Sequence, residues 1–308
     1  MSGGGAAAIV DEVAARVSPQ PFADRLAALV EERRSQVCLG LDPDPAALPH
    51  DGVEAGNPAE AAASAVLTAC RGLIDEAGPA CVAVKLQLAC FERLGAPGWK
   101  VLGQTAAAAH DAGLLVIADG KRGDVPVTAA AYGQAMVGET ETPWGTVPGL
   151  GADAFTANPL LGTDALEPLI EAAESAGAGV FALVRTTNPG AGELQDQPPE
   201  APLHERLAAI VDAAADRLAG EGGLSGMGAV VGATAPQLIE RLRALMPRAV
   251  FLIPGVGAQG GRPEDLAPAF APAPAAALVA VSRGIAADPE PAAAAERLRD
   301  AVWQASGA

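Results

Sequence analysis

Four charged residues stand close together in residues 116–125, which read VIADGKRGDV. Asp119, Lys121 and Asp124 follow one another as D-x-K-x-x-D, directly after an apolar run. Charged residues in a surface loop need no special explanation. In a pocket, however, alternating carboxylates and ammonium groups keep one another ionised, because each has an opposite charge nearby. A protonated lysine held in this way could deliver a proton to a carbanion and stabilise the developing charge.

The same charges could serve only the structure, as a salt-bridge cluster at the edge of a sheet. Buried ion pairs are poor stabilisers because desolvation offsets their attraction, which favours a chemical role for a buried array. The motif contains no histidine, and His50, His110 and His204 are predicted in a loop or on helices, away from the strand ends. Lys121 is therefore the candidate proton donor.

The elements that position these residues alternate regularly between strand and helix. Alanine- and leucine-rich stretches with helical spacing lie between eight short apolar runs, predicted as strands at 37–41, 81–85, 114–119, 153–157, 180–185, 229–234, 250–254 and 278–282. Eight such units predict an α/β protein with a (β/α)8 TIM barrel. An additional N-terminal helix is expected from Phe22 to about Arg34. We expect residues 22–308 to form this single barrel domain and residues 1–21 a flexible extension.

Residues at the ends of the predicted strands should meet at one rim of the barrel, where barrel enzymes build their sites. They are Asp42, Lys85, Asp119 with Lys121 and Asp124, Asn158, Arg185, Thr234, Gln259 and Arg283. GVGAQGG after the seventh strand and SRG after the eighth occupy the usual phosphate-binding position of this fold. Glycines also serve ordinary turns, but Arg283 adds guanidinium donors that suit phosphate oxygens. The combination favours a phosphorylated substrate.

The composition and charge of the chain argue against several classes of binding partner. A formal charge of -17 argues against a nucleic-acid or acidic-membrane partner. The N-terminus lacks the features of a signal peptide, and no apolar run is long enough to cross a bilayer. Cys38, Cys70, Cys81 and Cys90 lack the spacing of a zinc or redox site. A cytoplasmic protein with reduced structural thiols and no metal site is expected.

DGKRGDVPVTAAAY resembles the signature of the orotidine 5'-monophosphate decarboxylase family, in which D-x-K-x-x-D is followed by a small or apolar residue and a nearby threonine. The resemblance continues through LGLDPDP, VKLQLACFE, TANPLLGTDALEPL, VRTTNPGA, PGVGAQGG and VSRGI, and so covers most of the chain. NPLLGTDALEP and RTTNPGA resemble the longer bacterial, or type 2, branch. The resemblance implies a cofactor-free enzyme that converts orotidine 5'-monophosphate to uridine 5'-monophosphate and carbon dioxide, the last step of de novo pyrimidine biosynthesis.

The resemblance also implies roles for the charged residues. Lys121 would protonate C6 of the pyrimidine as carbon dioxide leaves. Asp119 would lie against the substrate carboxylate, and Lys85 would contact the ribose and the charged array. Asp124 is expected to enter the site of the partner subunit, so that the enzyme is a homodimer with active sites shared across the interface.

Further residues are expected to bind the substrate. By the same resemblance, Asp42 and Thr128 would bind ribose hydroxyls, with Thr128 reaching across the dimer interface. Gln259 and Arg283 would hold the phosphate. Thr187 stands where the family commonly has a serine that helps to hold the pyrimidine. Because threonine has an additional methyl group, the partner of the Thr187 hydroxyl is left open.

Two other functions are compatible with a barrel of this kind. One is a magnesium-dependent enzyme acting on a sugar phosphate such as 3-keto-L-gulonate 6-phosphate, which shares D-x-K-x-x-D but needs an additional acidic ligand at a strand end, where this chain has Lys85. The other is a catalytically silent nucleotide-binding or interaction protein. The intact set of charged residues gives this second alternative little support.

Overall fold

Eight parallel strands close into a barrel in the computed structural model, which describes residues 19–48 and 56–308. The strands are β1 Val37–Leu41, β2 Ala83–Gln87, β3 Leu115–Arg122, β4 Ala154–Ala157, β5 Gly179–Arg185, β6 Ser225–Val231, β7 Ala249–Pro254 and β8 Ala277–Val281. Each strand pairs with the next in the chain, and β8 closes on β1. The predicted (β/α)8 barrel is confirmed.

Helices surround the barrel. They are α1 Phe22–Arg33, α2 Pro58–Ala77, α3 Leu88–Glu92, α4 Ala96–Asp111, α5 Pro126–Met136, α6 Thr163–Ala176, α7 Ala191–Leu194, α8 Leu203–Ala213, α9 Ile239–Leu245, α10 Arg283–Ala286 and α11 Pro291–Ala305. The connection after β7 is a 3-10 helix, Pro263–Phe270, rather than an α-helix. Its two prolines, Pro263 and Pro268, supply no amide hydrogen to a helical ladder. A short hairpin pairs Glu139–Thr140 with Val147–Pro148.

The predicted additional N-terminal helix is α1, and it closes the floor of the barrel. Its Phe22 is buried and packs edge-on against Phe181 of β5, with ring centroids 5.8 Å apart. A Cβ atom on Gly179 would lie 2.7 Å from the Phe22 ring, so only glycine leaves room for this plug. Residues 1–18, most of the predicted extension 1–21, lie outside the described residues.

Strand residues alternate between two apolar layers, as the two-residue period of a strand requires. Cys38, Ile117 and Phe181 belong to the layer inside the barrel, whereas the neighbouring Leu39 and Val116 belong to the layer under the helices. All four cysteines are free thiols; three of them are buried, and Cys90 is partly buried. Within residues 19–48 and 56–308, no helix is both long and apolar enough to cross a membrane.

A buried arginine ties the lower end of the barrel together. The Arg243 guanidinium donates hydrogen bonds of 2.7 to 2.9 Å to the carbonyl oxygens of Met246, Ala249, Ala269 and Ala276, and it stacks on the Phe251 ring at 3.7 Å. Burial lowers its pKa to about 9. Through these four hydrogen bonds, Arg243 joins the end of α9 to the 3-10 helix and to the start of β8.

The floor plug provides a test of the fold. Phe22→Ala should lower the free energy of unfolding by about 3–5 kcal/mol, since it removes a buried ring and leaves a cavity. Urea denaturation at fixed protein concentration measures this loss. Trp144→Ala, in the exposed hairpin, is the matched control and should leave the unfolding midpoint close to that of the wild type. Equal losses for the two variants would contradict the plug.

Candidate active site

A cavity of about 230 Å³ opens at the carboxyl ends of the strands. Seven of the residues predicted for the site line it: Asp42, Lys85, Asp119, Lys121, Thr187, Gln259 and Arg283. Asp42 directly follows β1, Lys85 lies within β2, and Asp119 with Lys121 lies within β3. The barrel thus brings together side chains that are up to 241 positions apart in the chain, because parallel strands present their carboxyl ends at one rim.

The Asp119 carboxylate is the centre of the charged array. Lys121 Nζ donates to its Oδ1 and Lys85 Nζ to its Oδ2, each at 2.7 Å. The Thr156 hydroxyl also donates to Oδ1, at 2.8 Å. Burial alone would raise the pKa of Asp119, but the charges and hydrogen bonds of the two lysines outweigh it and lower the pKa to about 2.

Lys85 is the most deeply buried cation of the array. Its Nζ lies 3.6 Å from Asp42 Oδ1, in addition to the contact with Asp119. Burial disfavours the ammonium form, but the charges of Asp119 and Asp42 outweigh that effect and raise the pKa of Lys85. The lysine is therefore a fixed positive charge rather than a base in the free protein.

Lys121 adopts an unusual backbone conformation. Its φ of 49° lies in the left-handed region, which costs a non-glycine residue about 1–2 kcal/mol. The Thr156 hydroxyl accepts a hydrogen bond of 2.8 Å from the Lys121 amide while donating to Asp119. The pairing of β3 with β4 shifts between Ala118 and Arg122, which marks a bulge around the two charged residues. Bulges of this kind re-aim side chains beside active sites.

The opposite wall of the cavity carries uncharged and cationic donors. Gln259 and Arg283 are exposed side chains that follow β7 and β8, and Gln259 lies in the glycine-rich loop at residues 255–261. Gly255, Gly257 and Gly260 all have positive φ, so the loop needs glycine for its turns. Within the described residues, Arg283 forms no ion pair, which leaves its guanidinium free to meet an anion.

Thr187 fits its methyl group between two glycines. Cβ atoms on Gly232 and Gly255 would lie 2.7 and 3.0 Å from Thr187 Cγ2. The methyl group that distinguishes threonine from the serine expected here is therefore accommodated by the absence of side chains opposite it. The Thr187 hydroxyl makes no hydrogen bond to any other described part of the chain, and the residue lines the cavity.

Asp124 and Thr128 do not line the cavity of their own chain. Asp124 Oδ1 accepts a hydrogen bond of 2.7 Å from the amide of Val125, and Thr128 is exposed on the first turn of α5. Val125 and Val127, beside them, are also exposed, the latter to 87%. Val125, Val127 and Thr128 form an exposed, partly apolar surface, with the half-buried Asp124 at its edge.

Three other strand-end residues do not line the cavity. Asn158 caps a 3-10 turn by accepting from the Leu160 amide, Thr234 is exposed, and Arg185 forms an ion pair with Asp196. His204 contacts the same carboxylate, with Nδ1 3.1 Å from Asp196 Oδ1. His204 lies on α8, as predicted, and is connected to the end of β5 through Asp196.

Arg122, the remaining charge of the motif, has a structural role. Its guanidinium pairs with Glu92 of α3 and lies over the Tyr132 ring of α5, 5.5 Å from the centroid. The arginine therefore joins the two helices that flank the end of β3.

The sequence did not identify several residues that line the cavity, namely Gln87, Thr156, Thr186 and Ser282. Gln87 lies two positions after Lys85 and donates to Asp119 Oδ2 at 3.4 Å. The two-residue period of a strand was the signal that could have found it. No group of three or more His, Cys, Asp or Glu side chains suited to a metal occurs in the part of the chain that the structure describes.

Comparisons with known proteins agree on one family. Residues 35–298 match the model of the orotidine 5'-phosphate decarboxylase / HUMPS family. The orotidine 5'-phosphate decarboxylase of Rhodopirellula baltica is 39% identical over 271 residues, which cover 86% of this chain and 87% of that protein. The enzyme of the same name from Haloarcula marismortui is 40% identical over 287 residues, covering 93% and 94%.

The fold gives the same result. The structure of Leishmania donovani OMP decarboxylase superposes with a TM-score of 0.72 at 29% sequence identity. The match covers 94% of this chain and 100% of that one. Sequence and fold agree over nearly the whole length of both proteins. The chain therefore belongs to the orotidine 5'-phosphate decarboxylase family.

Proposed function

We propose that this protein catalyses the decarboxylation of orotidine 5'-monophosphate to uridine 5'-monophosphate and carbon dioxide, the last step of de novo pyrimidine biosynthesis. The observation that carries the proposal is the Lys121–Asp119–Lys85 array, with both lysines 2.7 Å from one carboxylate. It faces a cavity whose other wall holds Gln259 and Arg283. Membership of the family supports the reaction, since curated relatives carry its name.

The array supplies what the reaction requires. Breaking the bond between C6 and the carboxylate leaves the electron pair on C6 and releases carbon dioxide. Lys121, whose ammonium group donates a hydrogen bond to Asp119, would give its proton to C6 and later regain one from solvent. Asp119, pressed against the substrate carboxylate, would favour its departure, and the ammonium groups would stabilise the carbanion.

The rest of the cavity would hold the substrate by its three parts. Gln259 and Arg283 would hold the phosphate, Asp42 a ribose hydroxyl, and Thr187 the pyrimidine. Lys85, held between Asp42 and Asp119, would couple the ribose position to the charged array. Binding energy from the phosphate contacts would thus help to lower the barrier at C6, although the phosphate takes no part in the bond that breaks.

We propose that no metal or organic cofactor takes part. The magnesium-dependent alternative needs an acidic ligand where Lys85 lies, and Lys85 Nζ contacts both nearby carboxylates. An ammonium group between Asp42 and Asp119 repels a divalent cation from the position where the two carboxylates could otherwise bind it. The donor set therefore favours the metal-free reaction.

We further propose a cytoplasmic homodimer in which residues 22–308 form one catalytic unit. The half-buried Asp124 and the exposed Thr128 lie beside two exposed valines and outside the cavity of their own chain. A second subunit covering Val125 and Val127 would bury these valines. It would also allow Asp124 to approach the partner's charged array and Thr128 the partner's ribose position.

The first test concerns Lys121. Lys121→Ala should lower kcat for orotidine 5'-monophosphate on the order of 10⁴-fold, because it removes both the proton donor and a stabilising charge. Loss of absorbance by the substrate measures the rate, with a chelator present throughout. Lys100→Ala is the matched control, since Lys100 is exposed on α4. An inactive wild type, or full activity in Lys121→Ala, would overturn the proposal.

The second test concerns the charge on Asp119. Its pKa is about 2 in the folded protein against 3.8 for an ordinary aspartate, so the ionised carboxylate stabilises the fold above pH 4. That stabilisation should disappear as the pH falls from about 4 through about 2. In Asp119→Asn, the free energy of unfolding should decline less steeply across this window. Asp265→Asn, at an exposed site, should keep the wild-type slope, and an unchanged slope in Asp119→Asn would contradict the charge assignment.

The third test concerns the shared site. Asp124→Asn and Lys121→Ala subunits should each be inactive, but mixing them places one intact site in every mixed dimer. With random exchange at equal amounts, about a quarter of the sites are intact, and activity should return to that level. Mass spectrometry of the intact dimers verifies exchange. Mixed dimers without activity would show that Asp124 does not serve the partner's site.

A further inference from the structure

The segment after β5 brings Thr186 and Thr187 to the cavity, but little regular structure supports it. Between Arg185 and the start of α8 at Leu203, its only α-helix is the single turn α7. The same segment forms one wall of an adjoining groove, where Leu194 and Gln195 lie together with Lys121. Side-chain contacts must therefore hold the two threonines in place.

Gln195 holds Thr186 through both the backbone and the side chain. Its Oε1 accepts a hydrogen bond of 2.8 Å from the Thr186 amide, and its Nε2 donates to Thr186 Oγ1 at 2.9 Å. The Thr186 hydroxyl in turn donates to Asn188 Oδ1 at 2.6 Å. A single glutamine thus links the two ends of the segment and fixes Thr186, the residue that precedes Thr187.

Asp196 holds the residue before Thr186. Arg185 donates to it through two parallel hydrogen bonds, Nε to Oδ1 at 2.9 Å and Nη2 to Oδ2 at 3.0 Å. His204 Nδ1 lies 3.1 Å from Oδ1, and its side chain is only 5% exposed. The hydrogen bond from Arg185 lowers the pKa of Asp196, so this carboxylate is ionised at neutral pH. A bidentate pair fixes direction as well as distance.

We propose that Gln195 and Asp196 are positioning residues for the pyrimidine end of the substrate. Gln195 holds Thr186, the residue before Thr187, and Asp196 holds Arg185 at the end of β5, the residue before Thr186. Neither side chain needs to touch the substrate, because Thr187 would make the contact. The inference rests on the proposed function, since it assigns the pyrimidine to Thr187.

Two ligands separate this role from general support of the fold. Uridine 5'-monophosphate contains the pyrimidine, whereas ribose 5-phosphate contains only the parts expected at Asp42, Gln259 and Arg283. Gln195→Ala and Asp196→Asn should each weaken binding of the nucleotide about tenfold, and ribose 5-phosphate should bind both variants within about twofold of the wild type. Titration calorimetry measures both dissociation constants, and kcat/KM for orotidine 5'-monophosphate should fall with the nucleotide affinity.

Matched substitutions complete the experiment. Glu200→Gln in the same segment and Gln237→Ala after β6 change exposed side chains and should leave both affinities unchanged. Gln195→Glu keeps the acceptor for the Thr186 amide and should recover part of the nucleotide affinity. Equal losses for the two ligands, or no loss for either, would overturn the inference. A wild type that binds both ligands without decarboxylating orotidine 5'-monophosphate would overturn the proposed function instead, and the comparison of affinities would still decide the positioning role.

Discussion

A single buried carboxylate, that of Asp119, determines how the end of the barrel is arranged. An unpaired anion in this position would be costly, so it requires cationic or hydroxyl donors on each side. Three neighbouring strands meet this need: β2 provides Lys85, β3 provides Lys121, and β4 provides Thr156. Because the three donors come from separate strands, the charged array exists only when β2, β3 and β4 pair in register.

The repeated alternation of apolar runs and helical stretches predicted the barrel, because each run needed covering on both faces. The sequence predicted the positions at which strands begin less accurately than it predicted the barrel. β2 begins two residues later than predicted because a 3-10 turn, Gly78–Ala80, holds Cys81 outside the sheet. β6 begins four residues earlier, since residues 225–228 contain two glycines and look unlike a strand in sequence, but Ser225 pairs with β7 and Gly228 with β5 when folded.

Residue types also predicted most of the cavity wall, since charged groups at strand ends converge in this fold. What they could not predict depends on contacts between distant segments. Thr156 looks like an ordinary strand residue until the bulge in β3 presents the Lys121 amide to it. His204 reaches the end of β5 only because the segment before α8 folds back and places Asp196 between them.

The packing of Thr187 against Gly232 links the substitutions that these two positions can accept. A side chain can be added at Gly232 with less conflict once position 187 has become serine, since the methyl group that it would strike is then absent. The reverse order passes through a crowded intermediate. Drift at positions 187 and 232 is therefore ordered in time, whereas the φ of 104° at position 255 requires glycine in either order.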